Sequence, residues 1–164
     1  MSKLFSFPNP ANDTSARIVA GGVVLMSVAF LITGSGWVLI PLTYGFIARV
    51  LTGPKLSPLG QLSVKVITPR IKVKHKLVAG PPKRFAQGVG TVFTVAASIL
   101  YLTDNLTASR IVIAMLIGAA SLESFFGYCL GCKMFAILMR LGVIPESVCA
   151  ECNDITLRLR AQQS

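Results

Sequence analysis

Between Arg17 and Arg49 the chain runs for 31 residues without one charged side chain. An apolar run of about 18 or more residues with few charges is the signature of a membrane-crossing helix, because a soluble helix needs a polar stripe to face water. Thr33-Gly34-Ser35-Gly36 has the composition of a turn. The run therefore divides into two helices, Ile18 to Ile32 and Trp37 to Ala48, joined by a tight hairpin. Each is short for a hydrocarbon core of about 30 Å, so flanking polar residues must extend both. The alternative for this run is a single helix with a re-entrant end. A second uncharged stretch of 19 residues spans Phe85 to Thr103, and a third of 22 residues, Ile111 to Cys132, is interrupted only by Glu123. These are read as the third and fourth helices.

Composition agrees with this class. The chain is 53% hydrophobic and 13% charged, against roughly 25% charged in ordinary soluble domains, and its mean hydropathy is +0.69. A soluble single domain, a disordered chain, a collagen-like repeat and a small disulfide scaffold are all excluded. A cleaved signal peptide is also set aside, since the segment after Gly36 is itself hydrophobic and residues 1–17 are long and weakly basic for such a leader.

The net charge of +10 would suggest nucleic acid in a soluble protein. Here the basic residues crowd between apolar runs, so the expected partner is the lipid bilayer with its anionic headgroups, and not nucleic acid. A four-helix path with both termini in the cytoplasm keeps fifteen of the sixteen Lys and Arg inside, leaving only Arg110 outside. Trp37 and Tyr101 then lie near the outer interface and Tyr128 near the inner one. The expected location is the cell's inner membrane, with a membrane domain over residues 1–132 and a cytoplasmic, Cys-containing tail over 133–164.

The middle loop, residues 49–84, holds nine basic residues and no acidic one. In an extended strand Lys72, Lys74 and Lys76 share one face. The charge count alone makes this loop a topology determinant lying on lipid, and a docking surface for an acidic partner is the other reading. His75, the single histidine, has no acidic or cysteine neighbour there and reads as solvated. Pro54, Pro58, Pro69, Pro81 and Pro82 predict turns, and Lys83 and Arg84 at a helix entry read as snorkelling anchors. Gly88 and Gly90 lack the context of a phosphate-binding loop and suit close helix packing.

All four cysteines fall near the end, as Cys129-Leu130-Gly131-Cys132 and Cys149-Ala150-Glu151-Cys152. The spacing, C-x2-C-x16-C-x2-C, suits a four-thiolate zinc site and suits thiol redox chemistry equally. Cys129 is placed at the end of the fourth helix, which Gly127 and Gly131 break or redirect, and Lys133 to Arg140 reads as a short amphipathic helix. A helix N-terminus after Cys129, with Lys133 near it, favours the thiolate. Pro145 starts a tail helix that carries Cys149 and Cys152 on one face. A reducing cytoplasm argues against a permanent disulfide.

Glu123, in the inner half of a spanning helix, needs a partner or a task. It reads as a salt bridge to a helix-end base such as Arg49 or Arg84, or as a proton acceptor near the cysteines. At about 100° per residue it does not share a helix face with Cys129.

The strings Phe7-Pro8-Asn9-Pro10, Ser57-Pro58-Leu59-Gly60, Gly80-Pro81-Pro82-Lys83-Arg84-Phe85-Ala86-Gln87-Gly88, Phe126-Gly127-Tyr128-Cys129-Leu130-Gly131-Cys132-Lys133 and Cys149-Ala150-Glu151-Cys152 together resemble a bacterial membrane family catalogued as domain of unknown function four-three-nine-five. The resemblance covers nearly the whole chain and implies an integral membrane protein encoded near thioredoxin-like or sulfur-transfer proteins. It brings no reaction with it, so the cysteine roles rest on spacing. Two function classes stay open. One is a membrane thiol oxidoreductase or sulfur-relay component, in which the Cys129/Cys132 pair exchanges with a thioredoxin-like or sulfurtransferase partner, Cys129 is the attacking thiolate and Cys149/Cys152 resolve. The other is a non-enzymatic scaffold whose four cysteines hold zinc. A quinone-coupled disulfide enzyme is a third thought by analogy, which the cytoplasmic placement of the thiols opposes.

Overall fold

The computed structural model describes residues 11–70, 77–78 and 80–145. Helix α1 (Asp13–Thr33) starts where the Asn12 side chain accepts the Thr14 and Ser15 N–H groups at 3.0 and 3.4 Å, satisfying donors that an uncapped helix leaves bare. It stops at Gly34, whose φ of +62° turns the chain and directs its N–H back to Phe30 O. A single turn of 3-10 helix, Gly36–Val38, then leads into α2 (Leu39–Thr52). The 31-residue run is thus a hairpin and not one helix, and polar ends extend its first arm as its length required.

Helix α5 (Gly80–Leu102) begins before Phe85, with Pro81 and Pro82 inside its first turn. There the missing proline N–H has no intrahelical acceptor to lose. After Asn105, whose side chain accepts the Ala108 N–H at 3.3 Å, α6 (Leu106–Ser121) continues as a wider π-helical turn, Leu122–Phe126. Gly127, at φ +66°, ends it. The fourth helix therefore stops at Phe126 and not at Cys129, and Gly131 lies inside the next helix, α7 (Leu130–Arg140).

Three helices, Asp13–Thr33, Gly80–Leu102 and Leu106–Phe126, are long and apolar enough to cross a membrane, and Gly36–Thr52 is a shorter apolar one. The four alternate in direction. Helix α5 packs on α2 and α6, and α6 on α1. Their common core is Val23, Phe30, Leu39, Leu42, Phe46, Ala97, Ile113, Leu116 and Ala120. Small polar residues sit at the crossings: Ser109 Oγ donates to Ala97 O at 2.8 Å between α6 and α5, and Thr43 and Ser98 hydroxyls meet at 3.3 Å between α2 and α5. Such contacts replace the hydrophobic drive that helices lack within lipid. The exterior is equally apolar, with Leu25, Ile32, Val92 and Leu102 each well over half exposed.

The basic middle segment is less open than its composition suggests. Pro58 sits at the start of α3 (Pro58–Leu62), which passes through a π-turn, Ser63–Ile67, into α4 (Thr68–Arg70) with Pro69 inside it, so neither proline makes a turn. Ser63 Oγ donates to Ser15 O at 2.9 Å and pins this segment to α1. Two-residue strands β1 (Ala11–Asn12) and β2 (Leu77–Val78) pair antiparallel. Lys72, Lys74, His75 and Lys76, and the tail with Cys149 and Cys152, lie outside the described residues.

Gly90 lets α2 and α5 close, since a Cβ there would run into the Phe46 ring, whereas Gly88 faces open space. Gly90→Val is expected to destabilise the bundle by about 1–3 kcal/mol. Gly88→Ala is expected to be neutral or stabilising by up to about 1 kcal/mol. Thermal unfolding in detergent checks both, and equal effects would refute this packing.

Candidate functional site

The N-terminus of α1, the C-terminus of α2, the N-terminus of α5 and the far end of α6 meet at one end of the bundle. Two arginines fasten that end. Arg17, on α1, donates to Ser124 O at 3.3 Å and Phe125 O at 2.9 Å, and Arg84, on α5, donates to Val50 O at 3.0 Å. Each guanidinium caps carbonyls at another helix's C-terminal end, where a cation also meets the negative pole of the helix dipole.

Between them Lys83 is buried. Its Nζ lies 2.8 Å from Asp13 Oδ1 and 2.7 Å from Glu123 Oε1, joining α1, α5 and the end of α6. Lys83 is thus an internal ion-pair partner and not a snorkelling anchor. Glu123 bonds Lys83, and neither Arg49 nor Arg84 is its ion-pair partner. Arg49 is buried too: its guanidinium sits 4.5 Å from the Phe46 ring centroid, Nε donates to Gln87 Oε1 at 2.9 Å, and Nη1 has no hydrogen-bond partner among the described residues.

Helix α7 brings the cysteines to this cluster. Cys129 is its N-cap, with extended backbone at φ −84° and ψ 102°, and its Sγ accepts the Cys132 N–H at 3.4 Å. Gly131 permits the docking, because a Cβ there would stand 2.5 Å from Ala86 Cα of α5. Phe135 packs on Phe85 at 5.7 Å between ring centroids. The neighbouring Cys132 side chain holds the Cys129 thiol below its ordinary pKa; burial and Glu123 oppose the shift, while Lys83 and the Cys132 N–H support it. The neighbouring Cys129, with burial, pushes the Cys132 thiol up.

The cation near this thiol is Lys83, from another helix. Lys133, expected beside Cys129 from its place in the chain, instead lies over the Tyr128 ring at 5.5 Å. Cys129 is only 9% exposed, whereas Cys132 is half-buried. Cys132 is thus the more exposed residue of the pair. Glu123 and Cys129, which helix counting keeps on different faces, line one cavity of about 270 Å³ together with Arg49 and Gln87. The count fails because the chain leaves the helix at Gly127.

Asp13 and Gln87 went unassigned from sequence, and Lys83 and Arg49 were given other roles. The available signal was that Asp13 and Glu123 lie at the same end of the bundle, opposite a basic helix entry. Among the described residues no three metal-ligating side chains converge, and the Cys149 and Cys152 of a four-thiolate site lie outside those residues.

The chain is an apolar helical bundle, three of whose helices are long and apolar enough to cross a membrane, with an ion-paired end and a Cys-x-x-Cys pair capping the helix beside it. Residues 11–140 match the family model described as Domain of unknown function (DUF4395), and the chain belongs to that family. The match takes in all of α1 to α7 and the first cysteine pair. No curated protein and no solved structure matches the chain.

Removing Lys83 leaves two carboxylates facing each other without their cation. Lys83→Met is expected to cost about 3–5 kcal/mol of stability. The triple variant Asp13→Asn, Lys83→Met, Glu123→Gln should recover most of it. Thermal unfolding decides, and a triple variant no better than the single one would show that the charges are not what holds this end together.

Proposed function

We propose that the chain is a multi-pass protein of the inner membrane with four crossing helices and both termini in the cytoplasm, and that Cys129 and Cys132 form a thiol/disulfide exchange centre under its cytoplasmic face. The short run Gly36–Thr52 completes the fourth crossing. The division of basic residues supports the orientation: Arg110 belongs to the turn end, where its guanidinium lies beside Gly34, and the other described basic residues belong to the site end or the segments flanking it. A single cysteine introduced at Asn105, in a variant without the native four, should be labelled from outside the cell by an impermeant maleimide. Labelling only after permeabilisation would refute the topology.

The observation that carries the exchange reading is the geometry of the pair: Cys129 caps α7 and its Sγ accepts the Cys132 N–H at 3.4 Å. In the oxidised form a partner thiolate reaches the half-buried Cys132 Sγ, and Cys129 leaves as the thiolate that its hydrogen bonds stabilise. A lower leaving-group pKa speeds exchange. The partner is a thioredoxin-like or sulfurtransferase protein, with the Cys149/Cys152 pair as a second relay station.

The test uses Cys149→Ser/Cys152→Ser protein and a thioredoxin-like partner whose single remaining thiol carries a thionitrobenzoate leaving group. Adding Cys129→Ser should let a mixed disulfide accumulate at Cys132, because no neighbouring thiol resolves it. Adding Cys132→Ser should give at least about tenfold less adduct. The reverse order would refute this assignment. Cysteines of the unsubstituted chain that resist alkylation until a chelator is added, with an ion lost on any single Ser substitution, would establish the zinc scaffold instead.

A further inference from the structure

Helix α7 presents three kinds of surface, separated by the roughly 100° that each residue turns round the helix axis. Gly131, Phe135 and Leu138 form the side toward α5, with Gly131 against Ala86 and Phe135 against Phe85. Leu130, Met134, Ile137 and Leu141 make a second stripe, about a quarter turn from the first by that spacing. All four are exposed, Ile137 by 55% and Leu141 by 70%. Lys133 and Arg140, also exposed, stand on the side away from α5 and flank that stripe. A soluble helix turns its apolar stripe into the core. Here the core contact uses a different side, and among the described residues nothing covers the second one.

The stripe's direction along the bundle and its continuity with the bundle's exterior point to what covers it. Leu130 and Met134 line the cavity whose walls also include Phe93 of α5 and Met115 of α6. Phe93 lies eight residues beyond Phe85, about 12 Å further into a spanning helix. The stripe therefore looks toward the level of the apolar bundle and not away from it. The chain reaches α7 through Phe125 and Phe126, both exposed at the end of a spanning helix, and through Tyr128, a residue type enriched at membrane interfaces. Charge then selects the lipid. From Ser124 to Pro145 the only charged residues are Lys133 and Arg140, and basic residues flanking an apolar stripe reach the phosphates of anionic headgroups.

Resting on the reading of the bundle as membrane-crossing, and independently of the exchange chemistry, we propose that α7 is an interfacial helix that binds anionic phospholipid. It lies in the plane of the bilayer, with Leu130, Met134, Ile137 and Leu141 among the upper acyl chains and Lys133 and Arg140 at the phosphates. A helix of this kind buries its apolar face about 5–10 Å into the headgroup–acyl boundary. Position 132 falls across the helix axis from the stripe, so immersing the stripe leaves that position on the aqueous side. The lipid surface thereby fixes the level at which the Cys-x-x-Cys pair stands.

The test takes the full chain in lipid nanodiscs with Trp37→Phe, which removes its one tryptophan, and a single new tryptophan in each variant. Ile137→Trp should be quenched by phospholipid brominated high on the acyl chain, and by aqueous acrylamide at least about threefold less than Ala136→Trp, away from the stripe. Val92→Trp, at an exposed position within α5, should be quenched by lipid brominated deeper. In mixed bilayers brominated phosphatidylglycerol should quench Ile137→Trp at least about twofold better than brominated phosphatidylcholine, and adding Lys133→Gln/Arg140→Gln should abolish that preference. Thermal unfolding confirms that each variant folds. Acrylamide reaching Ile137→Trp as freely as Ala136→Trp, with Val92→Trp still quenched by lipid, would overturn the interfacial helix and leave the crossing helices standing. Protection of Ile137→Trp from both quenchers would overturn it too, assigning the stripe to a protein surface such as the tail or a second copy. Equal quenching by the two lipids would overturn the anionic contact of Lys133 and Arg140. Deep-brominated lipid failing to reach Val92→Trp would instead defeat the membrane-crossing reading itself.

Discussion

The Lys83 ammonium, held between Asp13 and Glu123, ties three helices whose ends would otherwise meet only through apolar contacts that any sliding could exchange. Burying an ion costs several kcal/mol after relaxation, so such a cluster persists only when every charge has a partner at close range. Here two distances under 3 Å and a nearby guanidinium meet that condition. A cluster of this kind adds little net stability over well-packed apolar residues, but it is strict about geometry. It sets the register of α1, α5 and α6, and the position of Cys129 follows from that register.

The second constraint is Gly127. A helix running straight through residue 132 would leave both cysteines on a spanning surface. The π-turn at Leu122–Phe126 and the left-handed Gly127 instead turn the chain, while Arg17 holds the exposed carbonyls of Ser124 and Phe125. Cys129 then falls at an N-cap, the position whose side chain folds back over the first turn to accept an N–H. One local device thereby produces both the short Sγ contact with Cys132 and the thiolate preference. Gly131 completes it, because only a residue without Cβ lets α7 lie against Ala86 and bring Lys83 into electrostatic reach.

Much of the fold could be read from the chain itself, since spanning helices announce themselves by uninterrupted apolar length, and a Thr-Gly-Ser-Gly turn has few other uses. The short helix after Cys129 was also legible from its amphipathic pattern. Pairings across helices were not. Sequence reasoning assigns partners by proximity along the chain, so it gave Cys129 the nearby Lys133 and gave Glu123 an arginine at a helix end, one of them the immediate neighbour of the correct lysine. Residues 13, 83 and 123 meet only after three helices have packed, and no local pattern encodes that meeting. The helical-wheel argument separating Glu123 from Cys129 was sound for a continuous helix and failed at the single residue where the helix ends.

The burial of Cys129 also bears on the direction of chemistry. In a surface dithiol the low-pKa sulfur meets the partner and the buried one resolves. Here the order is inverted, because the thiol held below its ordinary pKa belongs to the buried residue and the one pushed up belongs to the half-buried residue. On the exchange reading proposed above, a partner thiolate attacks Cys132 and expels the stabilised Cys129, which favours reduction of the pair by the partner over attack by the pair on the partner.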